Sequence, residues 1–155
     1  LIVTGDKPLK ILYSCRQNTG RRLDEDSHNK LCSIVKKYNG TIIETFEGVS
    51  LKDQIDIFNN HNCLIGVHGN NLTGLMWMPS NSSVFEILPS DHRRKVYDYW
   101  AISNVMKHNY QLINAFVENP YYSWKLDSKT LSLIDSNFHY LNVIMEKNLP
   151  SPIFD

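Results

Sequence analysis

A chain of 155 residues with 42% hydrophobic and 21% charged side chains has the length and composition of one globular domain with a sizeable core. Its 16 basic and 16 acidic residues cancel, which argues against a nucleic-acid binder because that function needs a basic excess, yet leaves room for a local anion site. No apolar run approaches the roughly 20 residues that span a bilayer, and no basic-then-apolar leader is visible.

The sequence opens in mid-flow with Leu1-Ile2-Val3-Thr4 and is expected to be a piece of a longer protein. Strand-like and helix-like patterns then alternate almost throughout, the signature of a mostly parallel α/β sheet with helices on both faces. Lys10 to Ser14 reads as the first buried strand and Arg16 to Arg22 as a polar loop. Asp24 or Asp26 is expected to cap a helix that carries Leu31, Ile34, Val35 and Tyr38 at helical spacing and ends at Asn39-Gly40. Thr41 to Phe46 reads as the second strand, and Ser50 as the cap of a helix with Leu51, Ile55, Ile57 and Phe58. Cys63 to Val67 is the third strand, Leu72 to Met78 a short apolar helix stopped at Pro79, and Val84 to Leu88 the fourth strand. A helix over Asp91 to Lys107, a fifth strand over Gln111 to Phe116, an irregular Pro120-Tyr121-Tyr122 and a last helix with Leu131, Ile134, Phe138, Leu141 and Met145 complete the order. The whole reads as a single Rossmann-like domain, with residues 120 to 155 as a C-terminal helical extension.

Ligands of such sheets bind beyond the carboxyl ends of the strands. That rim gathers Arg16 after the first strand, Phe46 to Ser50 after the second, His68 to Asn71 after the third and Pro89 to Arg94 after the fourth. The turn Gly66-Val67-His68-Gly69-Asn70-Asn71 is the sharpest feature. Gly69 permits backbone that other residues resist, Asn70-Asn71 suits a helix cap, and the first N–H groups of the following helix are free to meet an anion. The competing reading is an ordinary strand–helix turn in which His68 satisfies local backbone. Arg16, Arg21 and Arg22 fall within seven residues, and guanidinium groups match phosphate oxygens bidentately; alternatively they are a solvated loop paired with Asp24, Glu25 and Asp26. Glu86 interrupts an apolar strand near its end, suited either to ribose hydroxyls or to a core ion pair with an arginine. Glu44 sits near the rim or pairs across the sheet.

Asp24-Glu25-Asp26 has metal-like spacing, but at a helix start capping and the helix dipole account for it. Cys15, Cys32 and Cys63 form no CxxC pair and read as small hydrophobes. The remaining histidines share no metal-ligand spacing, so no metal or cofactor is expected. Sequons at Asn39, Asn71 and Asn81 are within chance for a chain this rich in Asn and say little about compartment. GxSxG, P-loop and complete GxGxxG motifs are absent.

The block from Ile65 to Thr73, followed by Met78-Pro79 and Val84-Phe85-Glu86-Ile87-Leu88-Pro89, resembles the hallmark of glycosyltransferase family 61. Upstream, Ser14-Cys15-Arg16 with Gly20-Arg21-Arg22 and the acidic helix start, then Glu44 and Leu51 to Ile55, resemble further motifs of that family in the same order, so the likeness spans about residues 10 to 116. It implies the C-terminal, nucleotide-sugar-binding domain of a GT-B enzyme that transfers a sugar from a UDP donor with inversion to a glycan or glycoprotein acceptor. An N-terminal domain outside this chain would complete the cleft. Carried over by position, Arg16, Arg21 or Arg22 and His68 would contact the diphosphate, His68 stabilising the leaving group. Gly69, Asn70, Asn71, Leu72 and Thr73 would supply turn and helix-start N–H groups, Glu86 would lie near ribose or base, and no metal would be required. Asn70 replaces a small Ala and Gly74 an Asn of the family pattern, which leaves the donor sugar open. No general base is visible, so the chain alone is expected to bind donor weakly and to transfer poorly. The alternative is a catalytically inactive nucleotide- or glycan-binding module of the same fold. The resemblance points to the secretory lumen only if eukaryotic relatives are followed.

Overall fold

The computed structural model describes residues 7–89, 96–119 and 123–147. The strands are β1 (Ile11–Ser14), β2 (Arg22–Leu23), β3 (Thr41–Ile43), β4 (Cys63–Val67), β5 (Ser83–Pro89), β6 (Asn109–Asn119) and β7 (Ser123–Lys125), with apolar runs in β1, β4 and β5. Between them lie α1 (Glu25–Lys37), α2 (Leu51–Asn59), a 3₁₀ helix (Asn70–Trp77), α3 (Val96–Val105) and α4 (Ser128–Glu146). All residues of β1, β4 and β5 are buried, the pattern of parallel strands covered on both faces.

The sheet order is β2-β7-β6-β5-β4-β1-β3. From β3 to β6 all neighbours are parallel, whereas β7 returns antiparallel to β6 and carries β2 on its outer edge. On one face α1 and α4 bury Leu31, Val35, Ile134, Phe138 and Leu141 against Ile11, Ile65, Phe85 and Ile113. On the other, α2, the 3₁₀ helix and α3 bury Phe58, Leu72, Leu75 and Tyr99 against Leu12, Leu64 and Val84.

Local chemistry fixes the helix starts. Asp24 accepts from Ser27 N at 2.7 Å, Ser50 from Asp53 N at 3.1 Å and Asp127 from Thr130 N at 2.7 Å, each satisfying an N–H that has no partner inside its helix. Asn39, with φ of 56°, turns the chain out of α1.

Four expectations need correction. The second strand stops at Ile43, so Glu44 lies exposed just beyond the end of β3. The expected helix from Leu72 is a 3₁₀ helix that starts at Asn70, and Met78 leaves it in extended backbone as the residue before Pro79 must. β2 and β7 escape a periodicity reading because two or three residues carry no period. Finally, β7 and α4 are no appendage: Trp124, Ile134, Phe138 and Ile144 are at most 2% exposed and complete the core. Pro120-Tyr121-Tyr122, the Asp91 to Lys95 part of the expected third helix and the end at Pro150 lie outside the described residues.

Candidate functional site

The order in which strands join the sheet reverses at β1, since β3 is added on one side of it and β4 on the other, all three parallel. This is the switch point at which doubly wound sheets open a crevice for ligands. Ser14 at the end of β1 lies opposite Gly66 in β4. A Cβ on Gly66 would come 2.8 Å from Ser14 O and 2.9 Å from Leu72 Cδ2, so the two strands and the 3₁₀ helix meet only because that side chain is missing. Asn71 stitches the junction: its Nδ2 donates to Ser14 O at 3.0 Å, and Ser14 Oγ donates to Asn71 O at 3.1 Å.

Gly69 makes the sharp exit from β4. Its φ of 150° and ψ of −179° belong to a region open essentially to glycine. A Cβ there would fall 1.4 Å from Arg16 Nη1, so the Arg16 guanidinium rests on the bare α-carbon of Gly69 and reaches His68 O at 3.5 Å.

His68 is 5% exposed and Glu86 has no exposed surface. Glu86 Oε1 meets His68 Nδ1 at 2.5 Å, and Tyr110 donates its hydroxyl to Glu86 Oε2 at 2.6 Å. Burial first, and the neighbouring Glu86 second, push the Tyr110 hydroxyl far above its ordinary range, so it stays a donor. The other ring nitrogen, Nε2, lies 3.9 Å from Asp98 Oδ2, whose side chain is 66% exposed. Tyr99 stands edge-on to the imidazole at 5.2 Å between ring centroids and hydrogen-bonds Thr73.

The loop after β1 is knotted around Thr19. Arg16 Nε donates to Thr19 Oγ1 at 3.2 Å, and that hydroxyl contacts the carbonyls of Arg16 and Arg21. Burial and then the neighbouring Arg21 guanidinium push Arg16 below the ordinary arginine range. Among the described residues, ion pairs join Lys30 to Asp26, Lys37 to Asp135, Lys52 to Asp56 and His68 to Glu86 and Asp98, and none takes an arginine. The charge of Arg21 thus adds to that of Arg16, and among the described residues neither pairs with a carboxylate, an arrangement that an anion would relieve.

A profile of the family described as Glycosyltransferase 61 matches residues 3–85, more than half of the chain. The chain belongs to glycosyltransferase family 61. Among curated proteins none matches significantly. Of solved structures, a flavodoxin-like domain from Synechococcus superposes with a TM-score of 0.53 at 9% identity, covering 90% of this chain and 99% of that one; at this identity the likeness concerns the fold alone. It agrees with the α/β sheet read from the sequence, and family 61 makes this a glycosyltransferase domain.

In this family 61 domain the residues singled out in the sequence fall into three groups. Arg16, His68, Gly69 and the exposed Asn70 gather at the β1/β4 mouth, Arg21 lies near enough to Arg16 to lower its pKa, and Thr73 joins them through Tyr99. Glu86 lies one layer behind His68, with both oxygens engaged by protein groups and no arginine attached. The third group serves the scaffold. Leu72 is buried and its N–H bonds Gly69 O at 2.9 Å, Asn71 is the stitch to Ser14, and Arg22 donates to Gln17 O at 3.3 Å. No side chain caps the 3₁₀ helix, contrary to the role expected of Asn70-Asn71, because Gly69 occupies the cap and Asn71 turns back to β1. Gly74 is explained by packing, as a Cβ would overlap the Phe58 ring at 2.1 Å.

Sequence reasoning missed Tyr99, Tyr110 and Asp98. Tyr110, the second residue of β6, had no local signal, since only the parallel register of β5 and β6 sets it beside Glu86. Tyr99 and Asp98 had none, because α3 reaches the mouth only through tertiary packing. Among the described residues no group of His, Cys, Asp and Glu could hold a metal.

Proposed function

We propose that this domain binds a UDP-sugar at the β1/β4 mouth and serves as the donor half of an inverting GT-B transferase. The observation that carries the reading is the meeting of Arg16 and His68 at Gly69, with Arg21 near enough to lower the Arg16 pKa and, among the described residues, no ion pair to either guanidinium. The diphosphate would lie against Arg16 and Arg21, with His68 Nε2 and the N–H groups of Asn70 and Asn71, which begin the 3₁₀ helix, completing the cradle. Such groups are fixed before reaction, so charge that grows on the departing UDP is stabilised without reorganisation. That is the task a divalent cation performs in other transferases, and a metal is unnecessary here.

Inversion needs a base on the face of the sugar opposite the leaving group. Asp98 lies beside His68 Nε2, hence on the leaving-group side, and is poorly placed to be that base. The base and the acceptor glycan or glycoprotein site belong to a second domain that completes the cleft. Calorimetry of UDP with the full-length protein tests the reading: micromolar to millimolar binding that Arg16→Ala weakens supports it, and no binding overturns it. Hydrolysis or transfer of a UDP-sugar by the same protein separates an active transferase from a binding module.

A further inference from the structure

We propose that Tyr110 and Glu86 are positioning residues that keep the shared proton of the His68–Glu86 hydrogen bond on Nδ1, so that when Nε2 also holds a proton His68 offers its ligand an Nε2–H donor and a positive charge. What that charge meets rests on the donor-site reading; the position of the proton does not.

The geometry has a direction. Tyr110 on β6 reaches Glu86 on β5, Glu86 reaches Nδ1 of His68 after β4, and Nε2 continues toward the rim. Every link but the last is shielded by α3 and the strands, Glu86 being wholly buried. A proton between a carboxylate and an imidazole sits wherever charge is better solvated, and in a buried site hydrogen bonds are the solvent. Tyr110 is locked as a donor, so it favours the negative form of Glu86 and hence the proton on Nδ1. Without that hydroxyl, Oε2 would be buried without a partner, and the proton would move to Glu86. The ring would then lose its positive charge as the carboxylate loses its negative one, and Nδ1 would accept instead of donate.

The other groups facing His68 do not set this balance. Tyr99 from α3 presents a ring edge, Arg16 touches the His68 carbonyl rather than the ring, and Asp98 is two-thirds in water at 3.9 Å. A buried carboxylate kept only for packing would be replaceable by an apolar side chain at little cost. This one sits in a chain of three groups that ends at the crevice.

Nitrogen-15 NMR of the histidine-labelled protein reads the proton directly, with His68→Gln assigning the ring. The expected result is a protonated Nδ1 in the wild type that shifts toward the unprotonated form in Tyr110→Phe, with Glu86→Gln giving a shift of its own. In Tyr110→Phe, UDP binding should weaken about tenfold, the worth of one charge-assisted contact. Unchanged His68 ring signals in a folded Tyr110→Phe would overturn the proposal, as would a wild-type Nδ1 without a proton. If the ring signals move while UDP binding stays the same, the claim that the charge serves the ligand is wrong. If the wild type binds no UDP, the donor-site reading fails, and the NMR result still decides where the proton lies.

Discussion

Beneath α1 and α4 the sheet buries Ile11, Ile65, Phe85 and Ile113 against Leu31, Ile134 and Phe138, and its polar groups include the Tyr13 hydroxyl, which meets His28 Nδ1 at 2.9 Å, and the Ser27 hydroxyl, which accepts from Leu126 N at 2.9 Å. Beneath α2, the 3₁₀ helix and α3, the same strands present a smaller apolar set, and among it are buried Glu86, His68, Ser103 and His108. Neighbouring positions of one strand therefore serve different ends: Phe85 and Ile87 anchor the first face, while Glu86 between them backs His68 on the second. Buried polar groups cost stability unless fully paired. Their concentration on the face that opens at the β1/β4 mouth sets it apart from the larger apolar cluster beneath α1 and α4.

The largest effect should follow from breaking the packed face. Phe138 is fully buried and stands edge-on to both Tyr38 and Phe85. Phe138→Ala should lose about 3–5 kcal/mol of stability, measured by urea unfolding, while UDP affinity of the folded fraction stays near the wild-type value. A matching loss of affinity would show that the two faces are not separable. The reverse experiment is Arg16→Ala, which should weaken UDP binding about 10- to 100-fold, corresponding to ~1.5–3 kcal/mol for a hydrogen bond to a charged group. Because Arg16 is only partly buried and has no ion pair among the described residues, its unfolding midpoint should hardly move.

How far each face could be read from the sequence follows the same division. Leu31, Val35, Ile134, Phe138 and Leu141 announce themselves by helical spacing, and Ile11 to Ser14 and Cys63 to Val67 by unbroken apolar runs, because hydrophobic burial writes a period into the chain. Asp24 and Ser50 were legible as caps because a cap is a local matter. The mouth was half legible. His68, Gly69 and Arg16 follow strand ends, where topology alone says they converge. Tyr110 and Tyr99 required knowing that β6 pairs with β5 in register and that α3 lies over the 3₁₀ helix, and neither fact has a local signal. Glu86 was recognised as anomalous and read either as a ribose ligand or as the partner of an arginine in the core; its actual partners, His68 and Tyr110, come from neighbouring strands whose pairing a sequence does not state.

Acid should also strain the polar face. His108 is 6% exposed, its Nε2 bonds Leu75 O at 2.8 Å, and burial pushes its pKa below the ordinary histidine value. The native state then binds fewer protons than the unfolded chain below about pH 6.5, so stability is full above that value and is lost as pH falls, by at most ~1.4 kcal/mol per pH unit for one group. His28 is shifted in the same direction, by burial with Glu44 opposing, so His108→Gln should reduce the slope of the urea midpoint between pH 7.5 and 5 without abolishing it. An unchanged slope would assign the acid sensitivity to the other face.

The smallest expected effect is none, and it tests whether the mouth relies on protein cations alone. The acidic pair of the Asp24-Glu25-Asp26 segment is already occupied: Asp24 caps α1 through Ser27 N, and Asp26 pairs with Lys30 at 2.7 Å. A divalent ion there would have to displace a helix cap, while Arg16 stands at the mouth with Arg21 near it and no ion pair to either among the described residues. UDP affinity should therefore be the same in a chelator as with added manganese or magnesium, and Asp26→Asn should leave it unchanged. If a divalent ion strengthened binding severalfold, the phosphates would be held through a metal, and the uncompensated arginines would need another explanation.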